Sequence, residues 1–459
     1  MPKIRVADFI AEWIGVELGI RHVFMVTGAG SMHLTDAIAK HDSIKEVCLH
    51  HEQAVAMAVE SYSRVSGQIG VAYVSTGPAA TNALTGLAGA WQDSVACLFV
   101  SGQVKMSETS RNSGVPGLRQ FGVQELDIIP IVESVTKYVA QVAKPADILY
   151  ELGKAKFFAS KERPGPVWLE VPLDVQSAYV ERSELIEFVP PGKERIVSSS
   201  NGTAGFFEAL AKSERPVVVI GQGVRLSNSE TLVREFLHKH RIPVVSTYLG
   251  VDSYTPHDDL YMGKIGVKGE RAANIVTQKA DLLLVLGASL HVSSIGYNYD
   301  EFAPDAEKWI VDIDTTSHMK PTLNGQNLVC ADIGSFLRDF AAEEELSKGS
   351  SQAWTQWAQI GTGLKLKFPT HDPEYEKESE GINIYTVVEE VSQILEPQDV
   401  VVSDAGSAFY SVSQGIRLGE DNRYLTSGAM ATMGYSLPAS IGISFGAPGA
   451  RIFALTGDG

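Results

Sequence analysis

A glutamate and two turns of small residues carry the side chains of this 459-residue sequence that are best placed for chemistry. Glu52 follows the apolar run EVCL and precedes small and apolar residues at helical spacing, so we expect it at a strand-to-helix junction. A carboxylate at a helix start ordinarily does no more than interact with the helix dipole. The turns at residues 27–31 and 75–82 also follow apolar strands. Because loops at the carboxyl ends of parallel strands meet at one sheet edge, the three segments could form one cofactor crevice.

The last residues, LTGDG, predict a buried strand that runs into a turn able to hold a metal-bound diphosphate. An aspartate between glycines after an apolar run is more often an ordinary turn, so this motif is weak evidence by itself. Because the sequence stops inside the motif, we expect it to lack the C-terminal end of a longer enzyme and to leave a sheet edge exposed.

Histidine and cysteine metal sites are disfavoured by the spacing of these residues. His50 and His51 are adjacent, so their side chains diverge, and no third ligand is evident. The cysteines, Cys48, Cys97 and Cys330, are too few and too scattered for a disulfide framework or a zinc site. A reducing, cytoplasmic location is expected.

Alternating strands and helices are expected to position the candidate residues. Strands are predicted at residues 23–26, 71–76, 97–102, 216–221, 243–247 and 281–287. The helical patterns between them favour parallel sheets covered by helices, an α/β fold. Polar segments at about 187–203 and 341–382 are predicted linkers. Three doubly wound domains result, at residues 1–185, 200–340 and 383–459, and the last of them is incomplete.

Composition excludes several other classes of protein. The chain is 44% hydrophobic and 20% charged, and it has no apolar run approaching the roughly 18 residues of a membrane span. The net charge of -17 is spread along the sequence without a basic stripe, so we expect neither nucleic acid nor membrane as a partner. The N-terminal segment carries Asp8 and Glu12 within an apolar stretch, which predicts an amphipathic helix and not a signal peptide.

Eight motifs together resemble the thiamine diphosphate-dependent enzymes of the acetolactate synthase-like group. They run in the family's order over essentially the whole chain: VFMVTGAGSM, LHHEQAVAMAVESYSR, STGPAATNALTGLAGAWQDS, SGQV, FGVQELDI, RPGPVWLEVPLDV, LTSGAMATMGYSLPASIG and TGDG. The resemblance implies an N-terminal pyrimidine-binding domain, a central flavodoxin-like or Rossmann-like domain and a C-terminal diphosphate-binding domain. It also implies a homodimer or tetramer with active sites between subunits.

The resemblance assigns a role to Glu52, which matches the glutamate that bonds the aminopyrimidine ring of thiamine diphosphate. A carboxyl group in an apolar cleft can exchange a proton with that ring. Met433 matches the apolar residue wedged between the two cofactor rings, although a core methionine is the simpler interpretation. Ala431 matches the residue whose carbonyl receives the cofactor's amino group. The cofactor-binding positions implied are Gly28, Ala29, Gly30, Glu52, Gly77, Asn82, Gly406, Ser407, Ala431, Met433, Gly457, Asp458 and Gly459.

A metal ion is implied with the cofactor. Asp458 matches the acidic Mg²⁺ ligand, and one carboxylate with phosphate oxygens supplies only part of an octahedral shell. The family's asparagine ligand would lie beyond Gly459.

FAD in the central domain is a possible second cofactor, and only some of the segments there match the FAD-binding pattern of acetolactate synthases. The segments VVIGQGV, PVVSTYLG, GVKGERAAN and VLGASLHVSSIGYN resemble the flavin side of acetolactate synthases. However, Ser289 stands where an arginine is usual, and His291-Val292-Ser293 replaces Asp-Asp-Arg. These changes remove cationic contacts to an anionic dinucleotide. An empty structural domain of the same fold is an equal alternative.

The acceptor substrate is less specified than the donor. The segment between SGQV and VQELD is longer than in typical acetolactate synthases, and its Gly-Leu-Arg-Gln sequence resembles relatives that act on nucleotide-linked keto sugars. Arg111 or Arg119 could meet a phosphate, although a solvated loop is the ordinary role for either. Gln124 matches a position in the substrate pocket and is a catalytic candidate with Glu52; a polar residue at a helix start is equally consistent.

We therefore predict a 2-keto acid decarboxylating carboligase with pyruvate as donor. Acetolactate formation, a step towards branched-chain amino acids, is the leading activity, and acetyl transfer to a nucleotide-linked keto sugar is the runner-up. Simple decarboxylation to an aldehyde is a weaker option. A non-catalytic regulatory or binding relative is the alternative from another class, and the retention of Glu52, Gly77, Asn82, Met433 and Asp458 argues against it.

Overall fold

The computed structural model describes residues 3–192, 200–344, 352–377 and 380–457. The chain folds into two compact units. The first contains residues 1–192 and 427–459, and the second contains residues 193–426. The predicted boundaries of three domains are not tested by this division and remain predictions.

The first unit is built around a six-stranded parallel sheet. The strands up to residue 192 are β1 (Ile4–Arg5), β2 (His22–Met25), β3 (Lys45–Cys48), β4 (Gly70–Val74), β5 (Cys97–Gln103), β6 (Tyr138–Gln141), β7 (Val167–Pro172) and β8 (Tyr179–Val180). The sheet order is β3-β2-β4-β5-β7-β6, while β1 and β8 form a short antiparallel pair. Strands β4, β5 and β7 are buried along their whole length, as expected for a sheet covered on both faces.

Helices cover this sheet. They are α1 (Val6–Glu17), α2 (Met32–Ala39), α3 (Glu52–Ser66), α4 (Pro78–Asn82), α5 (Leu84–Gln92), α6 (Ile129–Val132), α7 (Ile148–Ser160) and α8 (Leu173–Ser177). The predicted N-terminal amphipathic helix is confirmed as α1, which places most of its apolar residues in the core of this unit but leaves Val16 exposed. The predicted strands at 23–26, 71–76 and 97–102 are confirmed as β2, β4 and β5 within one or two residues.

The second unit contains another six-stranded parallel sheet. Its strands and those of the following segment are β9 (Pro216–Ile220), β10 (Val244–Ser246), β11 (Tyr261–Lys264), β12 (Leu282–Leu286), β13 (Glu307–Asp312), β14 (Asn327–Cys330), β15 (Val400–Ser403) and β16 (Arg423–Thr426). The sheet order is β11-β10-β9-β12-β13-β14, and β15 pairs with β16 in parallel. Alternate residues of β9 and β12 enter two separate cores, one on each face of the sheet.

The helices of this unit include one where a linker was expected. They are α9 (Ser200–Lys212), α10 (Gly223–Leu226), α11 (Glu230–His240), α12 (Arg271–Gln278), α13 (Val292–Ile295), α14 (Ile333–Glu344), α15 (Gln352–Lys367), α16 (Ile384–Ile394) and α17 (Ser407–Gly415). The linker prediction is wrong for α15, because Trp354, Trp357, Ala358 and Gly361 recur at helical spacing and are buried.

The described chain ends in the first unit with α18 (Ser436–Gly446) and β17 (Ile452–Leu455). Helix α18 packs closely on α3, since a Cβ at Gly442 would lie 2.0 Å from the Ala58 carbonyl oxygen. The predicted α/β fold of parallel sheets with helices is confirmed.

Candidate active site

Glu52 lies at the start of α3, immediately beyond β3, as the sequence predicts. The preceding His51 caps the helix, because its Nδ1 accepts a hydrogen bond from the Gln53 amide at 3.1 Å. The Glu52 side chain is buried, and the residue is 8% exposed. Asn82, at the end of α4, donates from Nδ2 to Glu52 Oε2 at 2.9 Å. The structure thus joins two predicted site residues directly.

Gly77 and Gln124 are also brought together. Gly77 precedes α4 with φ 61° and ψ -117°, a conformation that glycine adopts most easily. A Cβ at this position would lie 2.1 Å from the Gln124 carbonyl oxygen. Gln124 itself has φ 60°. The turn at 75–82 therefore meets the loop after residue 121 by close backbone approach, which requires glycine.

The turn at Gly28–Gly30 packs against the same segment. The Gly30 amide donates to Ser75 Oγ at 3.1 Å, and a Cβ at Gly28 would lie 2.4 Å from that oxygen. Ala29 begins a short 3-10 turn between the two glycines. The predicted convergence of the loops after β2 and β4 is therefore present in the structure.

A buried hydrogen-bonded chain supports these loops and was missed by the sequence reasoning. Thr76 Oγ1 donates to Gln103 Oε1 at 2.7 Å, and Gln103 Nε2 donates to Glu170 Oε1 at 2.9 Å and to the Leu126 carbonyl. Burial raises the pKa of Glu170 to about 7. The available signal was Glu170 itself, a single charged residue inside the otherwise apolar strand VWLEVP, which is buried along its whole length.

The two candidate phosphate arginines differ in their surroundings. Both arginines are exposed on the same loop, and Arg111 forms an ion pair with Asp127 at 2.9 Å. Neighbouring apolar side chains on this loop, including Phe121 and Val123, are exposed as well.

Ala431 and Met433 lie on a loop held by Asp93. Both oxygens of the Asp93 carboxylate accept backbone hydrogen bonds, from Gly428 at 2.9 Å and from Ala429 at 3.0 Å. Ala431 has φ 50°, in the left-handed region. Met433 is 69% exposed, so the alternative of a core methionine is wrong.

Gly406 and Ser407 lie in the second unit at the start of α17. Gly406 has φ 72°, and no atom lies within 4 Å of the position that a Cβ would take. The amino end of a helix of nine residues suits a phosphate group, because its first amides lack partners within the helix.

The predicted metal ligand cannot be placed. Asp458 and Gly459 lie outside the described residues, and Gly457 is exposed just beyond β17. Among the described residues, no group of three or more histidine, cysteine, aspartate or glutamate side chains is arranged to hold a metal ion. In the same part of the chain, no helix is both long and apolar enough to cross a membrane.

At the flavin-side positions, the polar groups are engaged in local hydrogen bonds. His291 caps α13, with Nδ1 accepting from the Ser293 amide at 3.3 Å, and burial lowers the pKa of its ring. Lys320 Nζ donates to the Ser289 carbonyl at 2.6 Å. The Gly223 amide, in the first glycine turn of this sheet, donates to the Gly287 carbonyl.

Comparison with known proteins assigns this arrangement to a family. Three family models of thiamine pyrophosphate enzymes match in order: the N-terminal TPP binding domain at residues 4–131, the central domain at 204–340 and the C-terminal TPP binding domain at 404–459. The acetolactate synthase large subunit of Lactococcus lactis is 30% identical over 444 residues, covering 96% of this chain and 74% of that protein. The chain belongs to the thiamine pyrophosphate enzyme family.

Other relatives of this thiamine pyrophosphate enzyme carry similar names. The acetolactate synthase large subunit of Buchnera aphidicola is 28% identical over 453 residues, covering 97% of this chain and 76% of that protein. The acetolactate synthase isozyme 1 large subunit of Escherichia coli is 28% identical over 456 residues, covering 99% and 76% respectively. The predicted family is thereby confirmed, and the protein is a thiamine pyrophosphate-dependent enzyme of acetolactate synthase type.

Proposed function

We propose that this enzyme decarboxylates pyruvate and ligates the acetyl unit to a second keto acid, forming acetolactate. The observation that carries the proposal is the buried Glu52 carboxylate, held by Asn82 beside loops that meet by glycine-permitted close approach. Relatives named acetolactate synthase large subunit support the same reaction.

The residues present fit thiamine diphosphate. In the first unit, a buried carboxylate that accepts one amide hydrogen bond keeps lone pairs for an aminopyrimidine ring. In the second unit, taken by itself, the amino end of α17 is suited to a phosphate group. Bound thiamine diphosphate supplies the electron sink that decarboxylation of a 2-keto acid requires. Mg²⁺ would accompany the diphosphate, with Asp458 as the proposed protein ligand.

The residues of this chain then have distinct proposed roles. Glu52 holds or moves a proton at its carboxylate oxygens, and Asn82 fixes the orientation of that carboxylate. With the cofactor bound, the Ala431 carbonyl would accept a hydrogen bond from its amino group, and the exposed Met433 side chain would support its rings. Gln124 orients the substrate.

Flavin is left out of the proposed function, because the flavin-side residues do not fit an anionic dinucleotide well. Ser289 and Ser293 offer no charge, His291 is used as a helix cap, and the Gly223 amide is already bonded. Visible absorption of the purified protein tests this point, and a stoichiometric flavin spectrum would overturn it.

Acetyl transfer to a nucleotide-linked keto sugar is the second candidate function. The exposed Arg119 on the long loop before Gln124 favours it, since a guanidinium is a good partner for phosphate. We also propose a cytoplasmic homodimer or tetramer; sedimentation of the purified protein tests the assembly.

Product analysis with pyruvate, thiamine diphosphate and Mg²⁺ distinguishes the functions. Acetolactate from pyruvate alone supports the proposal. Product that forms only after a nucleotide-linked keto sugar is added supports the second candidate, and free acetaldehyde without ligation indicates a simple decarboxylase. If the protein binds thiamine diphosphate but turns over no keto acid under any of these conditions, a regulatory relative is the better interpretation.

A further inference from the structure

Asp93 occupies an unusual place for an acidic residue. It follows the last residue of α5, where the helix dipole disfavours a negative charge, and it is 2% exposed. Burial raises the pKa of its carboxyl group, while the charge of Arg64 and the amides of Ala429 and Gly428 oppose that shift. A buried carboxylate at this position needs compensating hydrogen bonds, and the two amides supply them.

The loop that Asp93 holds contains a strained residue. Ala431 has φ 50°, which an L-residue with a Cβ adopts only when its surroundings impose it. Ser427 contributes to the same support: its carbonyl accepts from the Ala431 amide at 2.9 Å, and its Oγ accepts from the Thr432 amide at 3.1 Å. Four amides within five residues are therefore fixed by two side chains and one carbonyl.

The far end of the loop is fixed to a different helix, α3. The Tyr435 hydroxyl donates to the buried Glu60 carboxylate, and Arg64 donates to the other oxygen of Glu60 at 3.2 Å. Ser61 donates to the Ala439 carbonyl at 2.9 Å. The Ala431 carbonyl belongs to the same peptide group as the Thr432 amide, which Ser427 Oγ holds, so Asp93 can act on this carbonyl only by fixing the preceding residues Gly428 and Ala429.

We propose that Asp93 is a positioning residue that sets the direction of the Ala431 carbonyl for the cofactor's amino group. This inference rests on the proposed function of Ala431. Asp93 touches neither substrate nor cofactor in this assignment and acts only through the backbone of residues 428–431.

Hydrogen–deuterium exchange of the full chain without cofactor directly tests the hydrogen bonds from the Gly428 and Ala429 amides to Asp93. Asp93→Asn keeps the side-chain shape but turns an NH₂ group towards one amide donor, so exchange at Gly428 and Ala429 should accelerate about tenfold. Ala431→Gly removes the cost of the left-handed conformation and should restore part of that protection in the double variant. Asp174→Asn is the matched control, because Asp174 Oδ1 accepts from the Met106 amide at 3.1 Å and does not contact this loop.

Thiamine diphosphate titration with Mg²⁺ gives the second measurement. We expect about tenfold weaker binding in Asp93→Asn, partial recovery with Ala431→Gly, and unchanged binding in Asp174→Asn. Unchanged exchange at residues 428 and 429, or accelerated exchange with unchanged cofactor affinity, would overturn the inference.

A second variant and the cofactor affinity of the wild-type chain complete the experiment. If Asp93→Asn does not fold, Ser427→Ala removes the acceptor of the Thr432 amide and should show the same pattern more weakly; unchanged exchange at Thr432 counts against the inference. Failure of the wild-type chain to bind thiamine diphosphate would overturn the proposed function. The exchange measurement would still report on the hydrogen bonds between Asp93 and the amides of Gly428 and Ala429.

Discussion

Asn82 donates a hydrogen bond to Glu52 across 30 positions of sequence, and so links the end of α4 to the start of α3. One oxygen of the carboxylate is thereby engaged by a neutral donor. The arrangement fixes the orientation of Glu52 without pairing its charge.

Replacement of Glu52 by Gln should lower keto acid turnover by about 10²- to 10⁴-fold, because the proton-transferring group is lost while its size is kept. Asn82→Ala should have a smaller effect, about tenfold, since Glu52 remains but is free to rotate. Steady-state kinetics with pyruvate measure both. Turnover of Glu52→Gln equal to that of the wild type would refute the assigned role.

Gly77→Ala should destabilise the protein by about 1–3 kcal/mol or more, because the new Cβ would overlap the Gln124 carbonyl in addition to the positive φ. Gly67→Ala is the matched control. It has φ 70° with open space around it, so it should cost only about 1 kcal/mol. Equal losses of unfolding free energy for the two variants in urea would show that the close approach carries no energetic weight.

Glu170→Gln should change the pH dependence of stability. Burial raises the pKa of Glu170 from 4.5 in the unfolded chain to about 7 in the folded protein. The folding stability that comes from its higher proton affinity is therefore fully present below pH 4.5 and is lost as pH rises through 7. The variant should therefore gain stability relative to wild type between pH 5 and pH 8, with a slope of up to about 1.4 kcal/mol per pH unit. The exposed Glu46→Gln is the control, and a flat difference for Glu170→Gln would contradict the shift.

Lys264→Met should show a trend over a different pH window. Lys264 Nζ donates to Ser413 Oγ at 2.7 Å in a buried setting, and burial lowers its pKa to about 7. Burying the protonated Lys264 side chain lowers the free energy of unfolding most below pH 7. This loss disappears as pH rises towards 10.5, the pKa of lysine in the unfolded chain. The advantage of the variant over wild type should thus shrink by up to about 1.4 kcal/mol per pH unit from pH 7 to 10. Exposed Lys279→Met serves as control, and an advantage that grows with pH would refute the sign.

Sequence patterns predicted the fold well where hydrophobic runs were short and punctuated. The strands β2, β4, β5, β9, β10 and β12 and the position of Glu52 follow from such runs. Helix α15 was misread because its exposed face is polar and charged, and only the spacing of Trp354 and Trp357 marks its buried side.

The site was predicted only in part, because its supporting contacts are long-range. Motif spacing identifies Glu52, Asn82 and Gly77, whose local turns have recognisable sequences. Asp93 and Glu170 act on segments far away in sequence, and their roles depend on which backbone amides or side chains the fold brings to them. No local periodicity carries that information.

Helix α15 also packs against an edge strand of the second sheet. Its Gly361 packs against Met262 of β11, the strand at one end of the sheet, and Lys365 Nζ donates to the Tyr261 carbonyl at 2.6 Å. An uncovered edge strand can recruit a strand from another chain. Helix α15 therefore covers part of the edge strand β11, and this limits the access of a strand from another chain to that edge.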